Sequence, residues 1–191
     1  MDAHFKLINN IGLAGADFRI IASEYFQFQG TFDGNDHTIS NFSYTSTEAT
    51  AVGFFRYVSN GRISNLGLIA PDVHVDEGNF HGSLVGLLTE GTVTNCYVES
   101  GSVTGQDETG GLVGENGSGG LIMNCYFTGD TTGRDSVGGL VGNNLGSIKA
   151  SYSYSDVEGR NAVGGLVGRC APGEAVNCYA RGNVTGEWYI G

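Results

Sequence analysis

A five-residue phrase returns along this chain at nearly constant intervals, and it restricts the possible folds more than any other feature. Gly110-Gly111-Leu112-Val113-Gly114 recurs as Gly138-Gly139-Leu140-Val141-Gly142 and as Gly164-Gly165-Leu166-Val167-Gly168. Two degraded copies precede it, Gly82-Ser83-Leu84-Val85-Gly86 and Val52-Gly53-Phe54-Phe55-Arg56. Counted from the first apolar position, the steps from 54 to 166 are 30, 28, 28 and 26 residues. A second phrase keeps the same beat: Asn95-Cys96-Tyr97, Asn124-Cys125-Tyr126, Ala150-Ser151-Tyr152 and Asn177-Cys178-Tyr179. A third follows it at Val103-Thr104-Gly105, Thr131-Thr132-Gly133, Val157-Glu158-Gly159 and Val184-Thr185-Gly186. Self-similarity at this period marks a stacked architecture.

Each unit holds three short runs of Val, Ile, Leu, Thr and Tyr, separated by Gly, Asn, Asp and Ser. The runs have strand character and the separators are turn formers that tolerate positive φ. None carries the ten or so residues of 3.6-period pattern that a helix needs. One unit cannot close a core alone, but stacked on its neighbours it buries a continuous one. The prediction is therefore an all-β parallel β-solenoid, right-handed by the default of parallel crossovers. Six coils at the strand spacing of about 4.8 Å would make a rod on the order of 30 Å long. A propeller needs longer blades of four strands, and a leucine-rich repeat needs several spaced leucines in one frame. The glycines do not recur every third residue, which excludes collagen.

Residues 1–29 do not repeat and are expected to cap the open end of the first coil, as solenoids require. Residues 30–191 are expected to form the array, with a longer excursion from Pro71 to Gly82. The last residues, Tyr189-Ile190-Gly191, align with Ser136-Val137-Gly138. They open another repeat, so further repeats or domains of a longer parent chain are expected.

Glycine is more than twice its usual share, at 33 of 191 residues, and charged residues are scarce at 15%. A net charge of −11 argues against binding nucleic acid or an anionic membrane through a basic face. No apolar run is long enough to insert into a bilayer, and residues 1–20 carry no secretory signal pattern.

Gly-Gly-Leu-Val-Gly at this spacing, followed by Asn-Cys-Tyr, resembles the GLUG motif of bacterial surface and secreted proteins, including adhesin-like proteins and segments of the immunoglobulin A peptidases. Gly30-Thr31-Phe32-Asp33-Gly34-Asn35-Asp36-His37-Thr38-Ile39 is similar to the "GTFDGNGHTI" opening that precedes such arrays. Asn10 to Gly15 is similar to the family's "DIDLSG", with both aspartates replaced. The resemblance implies an extracellular or cell-surface location. The family's repeats have no agreed catalytic role, so the resemblance assigns no catalytic residue.

Among candidate residues, Cys96, Cys125 and Cys178 occupy one repeat position, with Ser151 in the remaining coil. There is no Cys-x-x-Cys, so they read as reduced, small, ladder-forming side chains. A Cys96–Cys125 bridge would need Cβ vectors that face each other, which stacked equivalent positions disfavour. Cys170 has no evident partner. Asn41, Asn65, Asn95, Asn124 and Asn177 are expected to share one inward position, donating to a carbonyl of the next coil. His74 and His81, near Asp76 and Glu77, could in principle hold a divalent ion but read as a solvated loop. Ser102, Asp130, Asp156 and Asn183 precede the third strand and could take Ca²⁺ if stacked. The calcium nonapeptide is not matched, so no cofactor is expected. There is no His-Glu-x-x-His, Gly-x-Ser-x-Gly or P-loop.

The sequence thus points to a non-catalytic repeat scaffold acting as a stalk, an adhesive module or an interaction surface, with a glycan or a host or cell-surface protein as partner. The alternative is a polysaccharide-binding or polysaccharide-degrading β-helix using Asp33, Asp36 or the Asp130/Asp156 ladder.

Overall fold

A computed structural model describes residues 2–191. Its described residues form strands and turns without a helix, wound into a parallel β-solenoid of about seven turns. In the coil of residues 107–132 the strands are Asp107–Gly110, Val113–Met123 and Tyr126–Thr132. In the next coil the middle segment breaks at Leu145-Gly146 into Val141–Asn144 and Ser147–Lys149. Every ladder is parallel and steps one repeat at a time: Val113 pairs with Val85 and Val141, and Tyr126 with Tyr97 and Tyr152.

The turn count exceeds the expected six because residues 4–28 are themselves wound in. His4–Lys6 pairs with Thr31–Asp33, Ile11 with Ile39, Ile21 with Phe55 and Phe28 with Val58. Leu7, Leu13, Phe18 and Ile21 pack on the core of the next coil, while Ile8, Tyr25 and Phe26 stay exposed. The excursion from Pro71 is also built into the sheet. Asp72–Glu77 pairs with Ser43–Glu48, Val73 and Val75 are buried, and Asn79–His81 continues the ladder of Asp107–Gly110. Period-2 alternation of valine with polar residues is what gives that stretch a buried face.

The repeated glycines work through close approach. None of the nine in the three intact phrases has positive φ. A Cβ on Gly110 or Gly138 would collide with the carbonyl oxygen of Val113 or Val141, three residues on, and approach the next coil's Gly142 or Gly168 nitrogen. Gly111 lies against the Phe127 ring and the Gly139 carbonyl. At this corner backbone packs on backbone, so the side chain must be absent. Left-handed residues come two positions before the first glycine, at Glu108 (φ 53°), Ser136 (57°) and Ala162 (52°). Leu112 then turns inward, and its N–H donates to Leu140 O at 3.0 Å, as Leu140 N–H does to Leu166 O at 2.9 Å.

One main apolar core runs through the coils and changes along the rod, while Val137, Val157 and Val163 form a second, smaller cluster. Near the N-terminus it is aromatic: Phe18 stacks on Phe54 at 4.6 Å, and Phe28, Phe32, Phe42 and Phe55 fill the space around them. Further along it thins to Leu140, Val141 and Ile148, with Ser151, Ser153 and Ser155 buried beside them. Ser153 and Ser155 hydroxyls bond each other at 2.7 Å, which satisfies groups that burial would otherwise penalise.

The glycine corner yields a direct test. Gly138→Ala should lower unfolding stability by about 3 kcal/mol, because the obstruction is backbone that cannot yield without moving two coils. Gly12→Ala, whose Cβ would find only Ser40 Oγ at 3.7 Å, should stay within about 0.5 kcal/mol in the same urea titration.

Candidate binding face

The Asn-Cys-Tyr phrase forms a corner in which each residue has a separate task. Asn65, Asn95, Asn124 and Asn177 have φ between 53° and 56°, the left-handed region that asparagine tolerates best. That conformation turns the amides outward rather than inward, and Asn95, Asn124 and Asn177 are exposed. Their side chains do not reach the next coil's carbonyl. Asn124 Nδ2 donates to Asn95 Oδ1 at 3.2 Å, Asn95 Nδ2 to Asn65 Oδ1 at 3.0 Å, and Asn65 Nδ2 to Asp33 Oδ1 at 3.0 Å. The backbone does reach the next coil: Asn95 N–H donates to Met123 O and Asn124 N–H to Lys149 O. Asn41 does not belong to this ladder. Its N–H bonds Ile69 O, which stacks it on Ala70 at a different left-handed corner.

Cysteine follows and points inward. Cys96 and Cys125 are buried, Cys178 is half-buried, and all four cysteines are free thiols in this structure. Each ladder thiol donates back to the carbonyl two residues before it: Cys96 to Thr94 O, Cys125 to Met123 O and Cys178 to Val176 O, all at 3.3 Å. Ser151 Oγ makes the same bond to Lys149 O at 2.8 Å, so the position requires a small donor. Burial, with Cys125 beside it, pushes the Cys96 thiol well above its ordinary pKa. Cys170 belongs to another row, in register with Asn116 and Asn144. There Asn116 Nδ2 donates to Asn144 Oδ1 at 2.7 Å, and Asn144 Nδ2 approaches Cys170 Sγ at 3.4 Å. This buried amide row is the inward asparagine ladder, at Asn116 and Asn144 of the second strand. Two asparagines standing three residues after Leu-Val-Gly's valine were its only sequence trace.

Tyrosine closes the phrase and starts the outer face. Tyr97, Tyr126, Tyr152 and Tyr179 stack in one column, with ring centroids 5.1, 4.9 and 5.1 Å apart and planes within 11°. The rings cover one another, so the column offers solvent its edges and hydroxyls. Tyr154, two residues on, is different: its ring tilts 46° from Tyr152 and 55° from Tyr179 and is 40% exposed. The Arg181 guanidinium lies 5.7 Å from its centroid, and its hydroxyl meets Tyr179 Oη at 3.2 Å.

Beside this ring run two hollows of about 470 and 550 Å³ that share Asp130 and Asp156 as a common wall. Gly129, Tyr154, Arg181 and Gly182 line the first, and Thr132, Glu158, Asn183 and Thr185 the second. Ser102, Asp130 and Asp156 are in register, and Asn183 follows on. Asp156 Oδ1 accepts from Asn183 N at 2.8 Å and Nδ2 at 3.1 Å. Among the described residues no group of three or more His, Cys, Asp or Glu is placed to hold a metal ion.

The other candidates stay apart from this face. His74 is exposed against Asp76 at 3.1 Å, whereas His81 is fully buried, with Nε2 at 3.0 Å from Ala49 O. Desolvation holds its pKa below the ordinary value, so it is a core residue and not part of a solvated loop. Asp33 accepts from Asn65 and from the Asn35 N–H, with Lys6 at 3.5 Å; these hold it below the usual carboxylate range. A raised carboxyl does occur at Glu108, which burial and the charges of Glu115 and Asp107 push up to about 7. Asn143 Nδ2 bridges the pair, at 2.8 Å from Glu115 and 3.4 Å from Glu108, and Arg169 partly offsets the shift. Glu108 lines neither hollow.

Fold and face together define a parallel β-solenoid repeat protein with one ordered outer surface. Residues 107–132 match the family model described as the GLUG motif, and that span is one complete coil, from Asp107 at the first strand to Thr132 at the end of the third. Among solved structures the chain is similar to a crystal structure of "a putative immunoglobulin A1 protease from Bacteroides ovatus", at 18% identity and a TM-score of 0.73 over 100% of this chain and 78% of that one. At that identity the likeness is one of fold. No curated protein sequence matches the chain.

Three measurements test this anatomy. In the native protein iodoacetamide should label exposed Cys170 first and leave Cys96 and Cys125 unmodified, whereas unfolding without reductant should give four labels. Cys125→Ser should cost less than about 1 kcal/mol, because Ser151 shows that a hydroxyl makes the same bond. For Glu108 the folded pKa lies above the unfolded value. Its contribution to stability is therefore complete below about pH 4.5 and is lost as pH rises through about 7. Between about pH 4 and pH 8 the stability difference should shift in favour of Glu108→Gln by on the order of 1 kcal/mol, discounted for partial exposure.

Proposed function

We propose that this chain is a non-catalytic repeat scaffold of a secreted or cell-surface protein, and that its third strand face is an interaction surface. The carrying observation is the ordered outer face, where four stacked tyrosines run beside a row of carboxylates across successive coils. A solenoid holds such rows at fixed spacing without further support, as extended binding surfaces require. The GLUG match at residues 107–132 and the fold-level likeness to the Bacteroides ovatus protein support the extracellular setting. No helix among the described residues is long and apolar enough to cross a membrane. The carboxyl with a raised pKa, Glu108, lies outside the hollows that a substrate would enter, which favours the scaffold over a glycosidase.

A second reading, a polysaccharide-binding module, is favoured by the exposed Tyr154 ring beside the Asp130 carboxylate and the free oxygen of Asp156. Incubation with a panel of soluble polysaccharides should release no reducing sugar, and protease shaving of intact cells should remove the domain from the cell surface. Reducing-sugar release above a Glu108→Gln, Asp130→Asn double variant would overturn the non-catalytic reading.

A further inference from the structure

The hollow between Tyr154 and the Asp130/Asp156 row has unspent bonding capacity of a particular kind. The Asp130 carboxylate makes no hydrogen bond or ion pair among the described residues, and Asp156 uses only Oδ1. Arg181 touches the Tyr154 ring but meets no carboxylate within ion-pair distance. The face therefore offers two acceptor carboxylates, a fork of guanidinium donors and one accessible aromatic ring around a space of about 470 Å³. Convergent polar groups beside an aromatic wall are what fixes a small ligand in an open site.

The charge pattern narrows the ligand class. Asp130, Asp156 and Glu158 outweigh Arg181 here, and the chain as a whole carries −11, so anionic chains are repelled. Arg181 in the hollow opposes a divalent cation, and no metal-holding group is present among the described residues. A basic peptide would satisfy the carboxylates but would set a cation against the guanidinium. A neutral polyol satisfies every group at once. Vicinal hydroxyls donate to the carboxylates and accept from the guanidinium, while the C–H face of the ring lies on the aromatic surface.

We propose that Tyr154, Arg181, Asp130 and Asp156 form a binding site for a neutral saccharide, with Asn183 as a secondary contact. The site spans three coils, so its natural occupant is a chain of sugars. A solenoid presents its polar row at about one strand spacing per coil, which suits a ligand whose units repeat. The proposal rests on the reading of this face as an interaction surface, and it adds the ligand class and the residues.

The test is a titration of the full chain with neutral hexose oligosaccharides of several linkages, a uronate oligosaccharide, a lysine-rich peptide and calcium chloride. Tyr154→Ala, Arg181→Ala and Asp130→Asn are outward positions, and their melting curves confirm folding. Arg62→Ala, exposed outside the hollow, serves as control. At least one neutral oligosaccharide should bind. Tyr154→Ala should weaken it by at least about tenfold, Asp130→Asn and Arg181→Ala should each weaken it measurably, and Arg62→Ala should leave it unchanged. No binding of any neutral oligosaccharide, or binding indifferent to Tyr154→Ala, overturns the site. Binding of the peptide or calcium in preference to sugar overturns the ligand class and leaves the interaction-surface reading standing; reducing-sugar release contradicts the non-catalytic scaffold instead.

Discussion

The structure depends on the approach of one backbone corner to the next at the Gly-Gly-Leu-Val-Gly phrase. Parallel strands need a partner at a fixed distance on each side, and a coil can supply only one of its own ladder positions. The corner must therefore pass close to both neighbours, and any Cβ at Gly110, Gly138 or Gly164 would meet the carbonyl three residues on. Once the corners nest, Leu84, Leu112 and Leu140 turn toward the core and their N–H groups find the next coil. At the second glycine position the earlier copy of the phrase carries Ser83, whose hydroxyl donates to the Gly111 carbonyl of the next coil.

Strict register has a consequence for every side chain. Equivalent residues stack, so each position becomes a row, and each row must solve its own contact with itself. Asparagine amides solve it by donating head to tail, a chain that ends on the Asp33 carboxylate. Tyrosines solve it by stacking and cysteines by bonding back to their own turn. Like charges would repel in such a row. Where Asp107 and Asp135 stack at the first-strand corner, Arg134 in the adjoining row ion-pairs with both, at 2.6 and 3.1 Å.

The solenoid was legible because glycine demands are local and periodic, so three intact phrases in step disclose both the stacking and the coil length. Side-chain direction was not legible at the asparagine corner. A left-handed residue reverses the inside-outside order that strand alternation suggests, so Asn95 faces out and Cys96 in. Asn41 sits between a serine and a buried aromatic, much as Asn65 sits between Ser64 and Leu66, and only the pairing of Ser40 with Ile69 separates the two corners. His81 reads as polar loop, yet it occupies the row of Val52 and Thr109, where Ala49 O meets its ring. The tyrosine column was present in the phrase itself. Its role on the outer face emerged only when Tyr154, which follows no repeat, was seen to tilt away from it.

In-register stacking is the central claim, and dipolar distances between spin labels test it most directly. Ser43, Asp72, Ser102, Asp130 and Asp156 form one outward row, with Asn183 next to Asp156 at its end. Labels at Ser43 and Asn183 are five coils apart and should lie about 24 Å from each other, against about 14 Å for Ser43 and Asp130, with the separation growing by about 4.8 Å per coil. Distances that fail to grow with coil number, or a Ser43–Asn183 pair no farther apart than Ser43–Asp130, would contradict a solenoid and every row derived from it.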